Sequence, residues 1–280
     1  MNPATARRAS IAGLAITLLT VVLAVLWAFP IYWGVVSSLK PDNEVVRPYI
    51  ELWPDTLTFE HYVFALTQTQ IGYWYLNSIA TALGVMVLTV GSSIFAGYAI
   101  SQLRFPFRRA LWWFILASFM VPTQVLIINH FVLMANMGLL NSWAGIILPQ
   151  LIHPVIIIVY KQFFDQGPKD FREAAIMDNA SEWRILFKVY MPMNWGVTTA
   201  LSIVTFIWAW NAFLWPFLAV TKTEMMTITV GITQTNDSFG IYYASELAAA
   251  VLAGFPVALA YLLFQRRVTE AITLSAGIKG

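Results

Sequence analysis

The sequence predicts an all-α membrane protein with about six transmembrane helices. Two observations support this fold class. Of the 280 residues, 59% are hydrophobic and only 11% are charged, whereas soluble domains contain about 45–50% apolar and about 25% charged residues. The apolar residues are also concentrated in stretches long enough to cross a bilayer, which takes roughly 20 residues of α-helix. Lipid must therefore be the solvent for much of the protein surface.

The six candidate spans follow one another within a single transmembrane domain. They comprise residues 11–39, 73–102, 110–135, 143–163, 195–220 and 247–264. Arg7 and Arg8 precede the first span, as basic residues do in a signal peptide. Its apolar stretch is longer than the about 7–15 residues of a signal-peptide core, however, and no cleavage site of small residues follows. We therefore predict that the first span is a retained helix.

Lysine and arginine residues are distributed unequally between alternate loops. With the N-terminus in the cytoplasm, 13 of the 16 basic residues fall in cytoplasmic segments. Only Lys40, Arg47 and Lys222 fall in the outside loops. Because basic residues in short loops favour the cytoplasmic side, we predict that both termini are cytoplasmic, with residues 265–280 forming a cytoplasmic tail.

The largest cytoplasmic segment lies between the fourth and fifth spans. Asp170 and Glu173 fit a capping box at the start of a short helix. Asn179 is placed to end that helix, because asparagine readily adopts the left-handed conformation. Ser181 fits the N-cap of a second helix that runs to Pro192. The pattern predicts two short helices joined by a tight turn across the inner end of the bundle.

Two features of this loop, residues 165–193, favour a docking role. Ala174 and Ala175 are small, so another protein can approach the helix backbone closely. The charged residues around them form a rim suited to an oriented contact. They are Lys169, Arg172, Glu173, Asp178, Glu182 and Arg184. The same pattern fits an amphipathic helix that contacts only lipid headgroups, so the residue types alone leave both interpretations open.

A resemblance to a known family bears on this choice. The string EAAIMDNA at residues 173–180, followed by VYMP at residues 189–192, resembles the EAA loop of ABC importer permeases. In that family the pattern is roughly E-A-A, three residues, G, then I-x-L-P, and the short helix couples to the nucleotide-binding subunit. Asn179 stands where the family usually has glycine. The resemblance implies a set of ATPase-coupling residues: Arg172, Glu173, Ala174, Ala175, Asp178, Asn179 and Pro192.

The resemblance extends over nearly the whole chain and is to the carbohydrate-uptake branch, the maltose-type second permease. It is carried by SSLK at residues 37–40, NS at 77–78, AGYA at 96–99, LRFP at 103–106, MVP at 120–122 and WN at 210–211. The ending SAGIKG is similar to the family ending T-A-G-x-V-K-G, one residue shorter. In relatives this tail reaches the ATPase dimer, which implies a contact through Gly277, Lys279 and Gly280.

The resemblance implies the fold of a type I ABC importer permease in the bacterial inner membrane. It also implies several partners: a second homologous permease, a homodimeric or heterodimeric ATPase, an extracytoplasmic solute-binding protein and membrane lipid. No cofactor is then expected in this chain, because ATP and Mg²⁺ bind to the partner ATPase.

The motifs of catalysis are missing from the sequence. It contains no G-x-x-x-x-G-K-[ST] phosphate loop, no H-E-x-x-H and no G-x-S-x-G, so we expect no catalytic residue. With no cysteine and three scattered histidines, His61, His130 and His153, we expect no metal site. The net charge of +2 is too small to indicate nucleic acid as a partner.

Polar side chains inside apolar spans are candidates for a transport path, because they are costly in hydrocarbon. Those selected here are Asn77, Gln124, Asn129, His153 and Asn211, together with the aromatic residues Trp208, Trp210 and Trp215. Aromatic faces beside amides suit a sugar, whose C–H faces stack while its hydroxyls form hydrogen bonds. The same residues also fit hydrogen bonds between helices or interfacial anchoring.

Three hypotheses follow. The chain is a permease subunit of an ATP-driven importer for a sugar or sugar-like solute, such as an oligosaccharide, glycoside, polyol or glycerol phosphate. Alternatively, it is a secondary carrier or channel that works without an ATPase, or it is a membrane scaffold or enzyme accessory without transport. His153 is compatible with proton coupling, but the lack of acidic residues deep in the spans favours the importer.

Overall fold

The computed structural model describes the backbone of residues 3–234 and 242–275. Side chains are described for residues 13–234, 242–263 and 265. The described chain is helical and contains no strand, which confirms the predicted all-α class. The α-helices are α1 (Pro3–Ser38), α2 (Asp42–Val45), α3 (Glu60–Gln68), α4 (Ile71–Gln102), α5 (Arg108–Phe119), α6 (Ile127–Asn136), α7 (Trp143–Ile147), α8 (Pro154–Gln166), α9 (Lys169–Met177), α10 (Glu182–Ile185), α11 (Met191–Met193), α12 (Trp195–Trp210), α13 (Leu214–Ala219), α14 (Ile228–Gly231) and α15 (Tyr243–Ser275). The predicted tail residues Gly277, Lys279 and Gly280 lie outside the described residues.

Within the described residues, three helical segments are long and apolar enough to cross a membrane: Gly13–Ser38, Ile71–Gln102 and Tyr243–Leu263. Two further spans become possible if bent helix pairs count as one span each. These pairs are Arg108–Phe119 with Thr123–Asn136, and Trp143–Gln150 with Pro154–Gln166. The helix of the fifth predicted span, α12, has 16 residues, which is short for a complete crossing.

The third, fourth and fifth predicted spans are therefore interrupted rather than continuous. The third bends by 94° and the fourth by 52°, and the fifth divides after Trp210. Pro122 lies within the first break, Pro154 begins the helix after the second, and Pro216 lies in the short helix after the third. Proline has no backbone N–H, and its ring clashes with the carbonyl group four residues earlier. This clash explains the first two breaks, because the residues four before Pro122 and Pro154 lie at the ends of the preceding helices. Pro216 lies six residues beyond the end of α12.

The chain divides into two compact units, the first of which comprises residues 1–69 and 232–254. In this unit the Lys40 ammonium group is buried and donates a hydrogen bond of 2.8 Å to the carbonyl oxygen of Glu51. The His61 ring lies 2.9 Å from the Ser245 hydroxyl oxygen and 3.1 Å from the Lys40 carbonyl oxygen. Hydrogen bonds to Asp55 and Glu51 raise the pKa of Arg47. These contacts give the predicted outside loop an ordered structure.

The second unit comprises residues 70–231 and 255–280, and it has α4 at its centre. Helices α8 and α12 pack along α4. At Gly97 the backbones of α4 and α8 come so close that an added Cβ atom would lie 2.7 Å from the Tyr160 Cβ atom. A buried cluster fills the space around this contact. Its members are Val90, Ile94, Tyr98, Ile156, Tyr160, Phe164, Ile185, Leu186 and Tyr190.

Candidate functional site

The loop at residues 165–193 begins with α9, whose start differs from the predicted capping box. Pro168 occupies the N-cap position and makes no side-chain hydrogen bond, so Asp170 lies within the first turn and does not cap it. Proline pre-sets its own φ but has no side-chain oxygen for the first amide groups. The predicted pairing of Asp170 with Glu173 is therefore wrong, although the helix itself is present.

The turn between α9 and α10 has the predicted conformation. Asn179 adopts a left-handed backbone with φ of 53°, and the Ala180 amide donates to the Ala175 carbonyl at 2.9 Å. The Ser181 hydroxyl oxygen then accepts a hydrogen bond from the Arg184 amide at the start of α10. A helix end closed by a left-handed residue and followed at once by an N-cap makes the tight turn that the residues indicated.

Pro192 does not end the second helix of the loop, contrary to the prediction. A π turn covers Leu186–Tyr190, and α11 continues through Pro192 to Met193. Proline has no N–H to donate to the preceding turn, and π turns occur where the regular helical hydrogen-bond pattern is interrupted. The chain thus passes Pro192 in helical conformation before α12 begins.

Packing and hydrogen bonds attach the loop to the ends of the long helices. The side chains of Ile185, Leu186 and Tyr190 are buried in the cluster around α4 and α8. The Tyr190 hydroxyl group also donates to the side-chain oxygen of Gln102 at 2.7 Å. Because these three side chains of its C-terminal half are buried in the core cluster, the loop is anchored to the folded core of the second unit.

Glu182 joins both halves of the loop to α4. Its carboxylate accepts a hydrogen bond from the Tyr98 hydroxyl group and one of 2.6 Å from the Arg172 guanidinium. Arg172 and Glu182 were predicted to lie on a rim around the docking helix. They form an ion pair within the chain instead, so their charges position α9 on the bundle.

The remaining surface of α9 is open. Glu173, Ala174, Asp178 and Asn179 are exposed, whereas Ala175 is half-buried and packs against the core cluster. The two alanines thus differ, because successive helical residues point about 100° apart. Of these two alanines, only Ala174 leaves the helix backbone accessible to another protein.

A cavity of about 480 Å³ lies elsewhere in the same unit. Residues at the breaks of the three interrupted spans line it. The predicted candidates among them are Gln124, His153, Trp208, Asn211 and Trp215. Non-helical backbone at membrane depth is tolerated where it lines a cavity, because its free N–H and C=O groups then find polar partners. The helix breaks therefore form the wall of the cavity, and the cavity in turn allows the breaks to exist at membrane depth.

Three sequence candidates do not line this cavity. The Asn77 amide is buried and donates to the carbonyl oxygens of Glu224 and Met226 at 2.9 and 3.0 Å, while its oxygen accepts from Trp143. Trp210 is also buried, with its ring centroid 6.2 Å from that of Tyr75 and 5.9 Å from that of Phe206. Both residues connect elements of the protein to one another.

Asn129 is exposed and is absent from the cavity lining as well. It lies on α6, after the sharp bend near Pro122. Gln124 lies beyond the same bend, in the segment Thr123–Asn136. At about 100° per residue, the five positions between the two residues point their side chains in different directions.

The structure adds polar lining residues that the sequence analysis did not select: Thr123, His130, Gln150 and Thr205. Thr205 lies three residues before Trp208, so helical spacing alone could have identified it. His130 packs its ring against the edge of Trp215 at 5.9 Å between centroids. No comparable signal marks Gln150, because its position depends on the bend that separates α7 from α8.

The chemistry of the cavity is that of an uncharged polar site. Among the residues that line it there is no lysine, arginine, aspartate or glutamate. His153 and Trp208 lie with their ring centroids 5.8 Å apart. Amide and hydroxyl groups beside aromatic rings can bind a solute that carries both hydroxyl groups and apolar faces.

Comparisons with known proteins agree with these features. Residues 89–270 match the family described as binding-protein-dependent transport system inner membrane component. The arabinooligosaccharides transport system permease protein AraQ of Bacillus subtilis is 30% identical over 274 residues, which cover 97% of each chain. The diacetylchitobiose uptake system permease protein NgcG of Streptomyces coelicolor is 32% identical over 259 residues, which cover 90% of this chain and 85% of the relative.

A solved structure has the same fold. It is described as a bacterial ABC transporter involved in the import of the acidic polysaccharide alginate. The superposition has a TM-score of 0.81 at 23% sequence identity and covers 93% of this chain and 97% of the other. The relatives named above are permease proteins, which are transport components rather than enzymes. The chain therefore belongs to the family of inner-membrane components of binding-protein-dependent transport systems, and the predicted membership among ABC importer permeases is confirmed.

Proposed function

We propose that this protein is the permease subunit of an ATP-driven importer that moves an uncharged saccharide through the 480 Å³ cavity by alternating access. The observation that carries the proposal is the lining of this cavity, which combines amide, hydroxyl and aromatic groups without a charged side chain. Family membership supports the transport class, and the cavity supports the kind of solute.

The proposed assembly contains a second homologous permease, an ATPase that binds ATP and Mg²⁺, and an extracytoplasmic solute-binding protein. The chain lies in the bacterial inner membrane with both termini in the cytoplasm, since this orientation places 13 of its 16 basic residues on the cytoplasmic side. It crosses the membrane about six times, and Gly277, Lys279 and Gly280 contribute to the ATPase contact.

The exposed face of α9 receives the motion of the ATPase. Glu173 and Ala174 make the contact, while Asp178 and Asn179 border it at the helix end. Packing of the loop against the core cluster transmits displacement of α9 to α4 and α8. A rigid connection is needed, because a loosely tethered helix would move without moving the spans.

The names of the relatives also support a saccharide. They are permeases for arabinooligosaccharides, diacetylchitobiose and lactose, although another is a permease for sn-glycerol-3-phosphate. An anionic solute in a low-dielectric cavity requires a cationic partner. The lining of this cavity has no lysine or arginine, which favours the neutral members of this group.

The proposal is tested with the complete importer reconstituted in vesicles with its binding protein. Radiolabelled neutral oligosaccharides and glycerol phosphate are supplied outside, and ATP is supplied on the side of the ATPase. We expect ATP-dependent accumulation of a neutral oligosaccharide and none of glycerol phosphate. Accumulation without ATP or ATPase would contradict the importer, and preferential uptake of the anion would contradict the uncharged cavity as the path.

A further inference from the structure

A second cavity, also of about 480 Å³, lies where α5 begins. Three basic residues line it together with aromatic and aliphatic side chains. The lining consists of Ile100, Phe105, Phe107, Arg108, Arg109, Trp112 and Lys161. We propose that this cavity binds the phosphate group of an anionic phospholipid whose acyl chains lie along α5.

The charges at this cavity are predominantly positive. Arg108 donates to the carbonyl oxygens of Ser101 and Leu103 at 2.9 and 3.0 Å, so its guanidinium is held in place without loss of its charge. Lys161 forms an ion pair with Asp165, which does not line the cavity. Arg109 is exposed. Three cations thus face one nearby carboxylate, a balance that attracts an anion.

The start of α5 adds to this potential. Phe107 is the N-cap residue, with φ of 62°, and its side chain has no oxygen with which to cap the helix. The first amide groups of an α-helix have no partner within the helix and give its N-terminus a partial positive charge. Together with guanidinium groups, which match phosphate geometry, they favour a phosphate.

Apolar surface beside the cavity distinguishes a lipid from a free phosphate ion. Phe107 is 85% exposed. Along α5, Leu111, Trp113 and Phe114 are 43%, 63% and 71% exposed. A soluble anion gains nothing from these side chains, whereas acyl chains attached to the bound phosphate would cover them. Basic cavities between spanning helices are known positions for anionic lipid headgroups.

The side of the membrane follows from the proposed function, on which this step rests. Arg108 bonds to the end of α4, and Lys161 pairs with Asp165 at the start of the loop that contains α9. If that loop faces a cytoplasmic ATPase, the lipid belongs to the inner leaflet. The binding site itself does not depend on this orientation.

The test uses the complete importer, purified in detergent and stripped of lipid. It is titrated with phosphatidylglycerol or with phosphatidylcholine of the same acyl chains, and the midpoint of thermal unfolding is recorded. Inorganic phosphate and glycerol phosphate serve as soluble probes. We expect phosphatidylglycerol alone to raise the midpoint in a saturable manner. Because no transport is measured, failure here is distinguishable from failure of the proposed function.

Variants locate the effect. Each basic residue near an anionic lipid contributes about 1 kcal/mol, or about fivefold in affinity. Arg109→Gln combined with Lys161→Gln should therefore raise the half-saturating phosphatidylglycerol concentration about 25-fold by the same rule. Arg104→Gln is the matched control, since Arg104 is exposed nearby but does not line the cavity. We expect it to leave half-saturation unchanged.

Lys161 also contacts Asp165 and the Trp112 ring, 4.8 Å from its centroid. If the double variant does not assemble, Arg109→Gln alone decides the question, with about a fivefold effect expected. The proposal is overturned if phosphatidylglycerol binds the cavity variants as tightly as the unmodified importer. It is equally overturned if phosphatidylcholine or inorganic phosphate produces the same shift.

Discussion

The hydroxyl group of Tyr98, in the central helix α4, donates a hydrogen bond to the carboxylate of Glu182 in the loop at residues 165–193. The other oxygen of that carboxylate accepts from Arg172 in α9. One carboxylate thus connects a spanning helix with the helix proposed to contact the ATPase. Hydrogen bonds to charged groups contribute about 1.5–3 kcal/mol, so this connection is strong enough to test.

Tyr98→Phe should lower the amount of solute imported per ATP hydrolysed. The substitution removes the hydroxyl group and keeps the aromatic ring in the core cluster, so α9 can move with less effect on α4. Uptake and ATP hydrolysis are measured on the same reconstituted vesicles. Tyr73→Phe removes the same group from an exposed position of α4 and should leave the ratio unchanged. An equal ratio in both variants would exclude this role for Glu182.

Ala174→Glu should prevent stable association with the ATPase. A carboxylate buried at an interface without a partner costs several kcal/mol, and Ala174 is exposed on α9 where the contact is proposed. Co-purification with a tagged ATPase gives the readout. Lys188→Gln changes the charge by the same amount at an exposed position of the loop outside α9 and should retain the ATPase. Normal co-purification of the Ala174 variant would place the contact elsewhere.

Asn211→Ala should reduce uptake about 2- to 10-fold, because a hydrogen bond between neutral groups contributes about 0.5–1.5 kcal/mol. Asn211 lines the cavity proposed as the transport path, whereas Asn129 does not. Initial uptake rates are compared at saturating loaded binding protein, with Asn129→Ala as the control. If the two variants are slowed equally, the cavity does not distinguish them and the proposed path is wrong.

Gly97→Ala should destabilise the protein by about 1–3 kcal/mol, the usual cost of inserting an atom into a filled core. The new Cβ atom would lie 2.7 Å from the Cβ atom of Tyr160. Gly91→Ala makes the same change in α4 where no atom lies within 4 Å, and should be neutral or stabilising by about 0.5–1 kcal/mol. Thermal unfolding of the two variants in detergent separates packing from helix propensity. Equal midpoints would show that the helices separate readily.

The sequence was most informative where the local structure depends on residues that are adjacent in the sequence. Asn179 and Ser181 lie at the turn and at the N-cap where their residue types predicted them. The predicted capping interaction at Asp170 was wrong because Pro168 occupies the capping position, two residues earlier than expected. Pro154 lies inside the fourth predicted span, where proline is a common cause of a bend, but neither the angle of 52° nor the meeting of this bend with two other breaks followed from the sequence.

Composition, apolar run length and short motifs by themselves determined the membrane class, the helical fold and the family, because each is a property of contiguous residues. Only the tertiary structure decided which polar side chains share a cavity. Asn77 and Asn211 look alike in the sequence, yet one connects to Glu224 and Met226 and the other lines the cavity. The reason is physical: an amide in an apolar span must find a hydrogen-bond partner, and the partner is set by how distant helices and their breaks pack together.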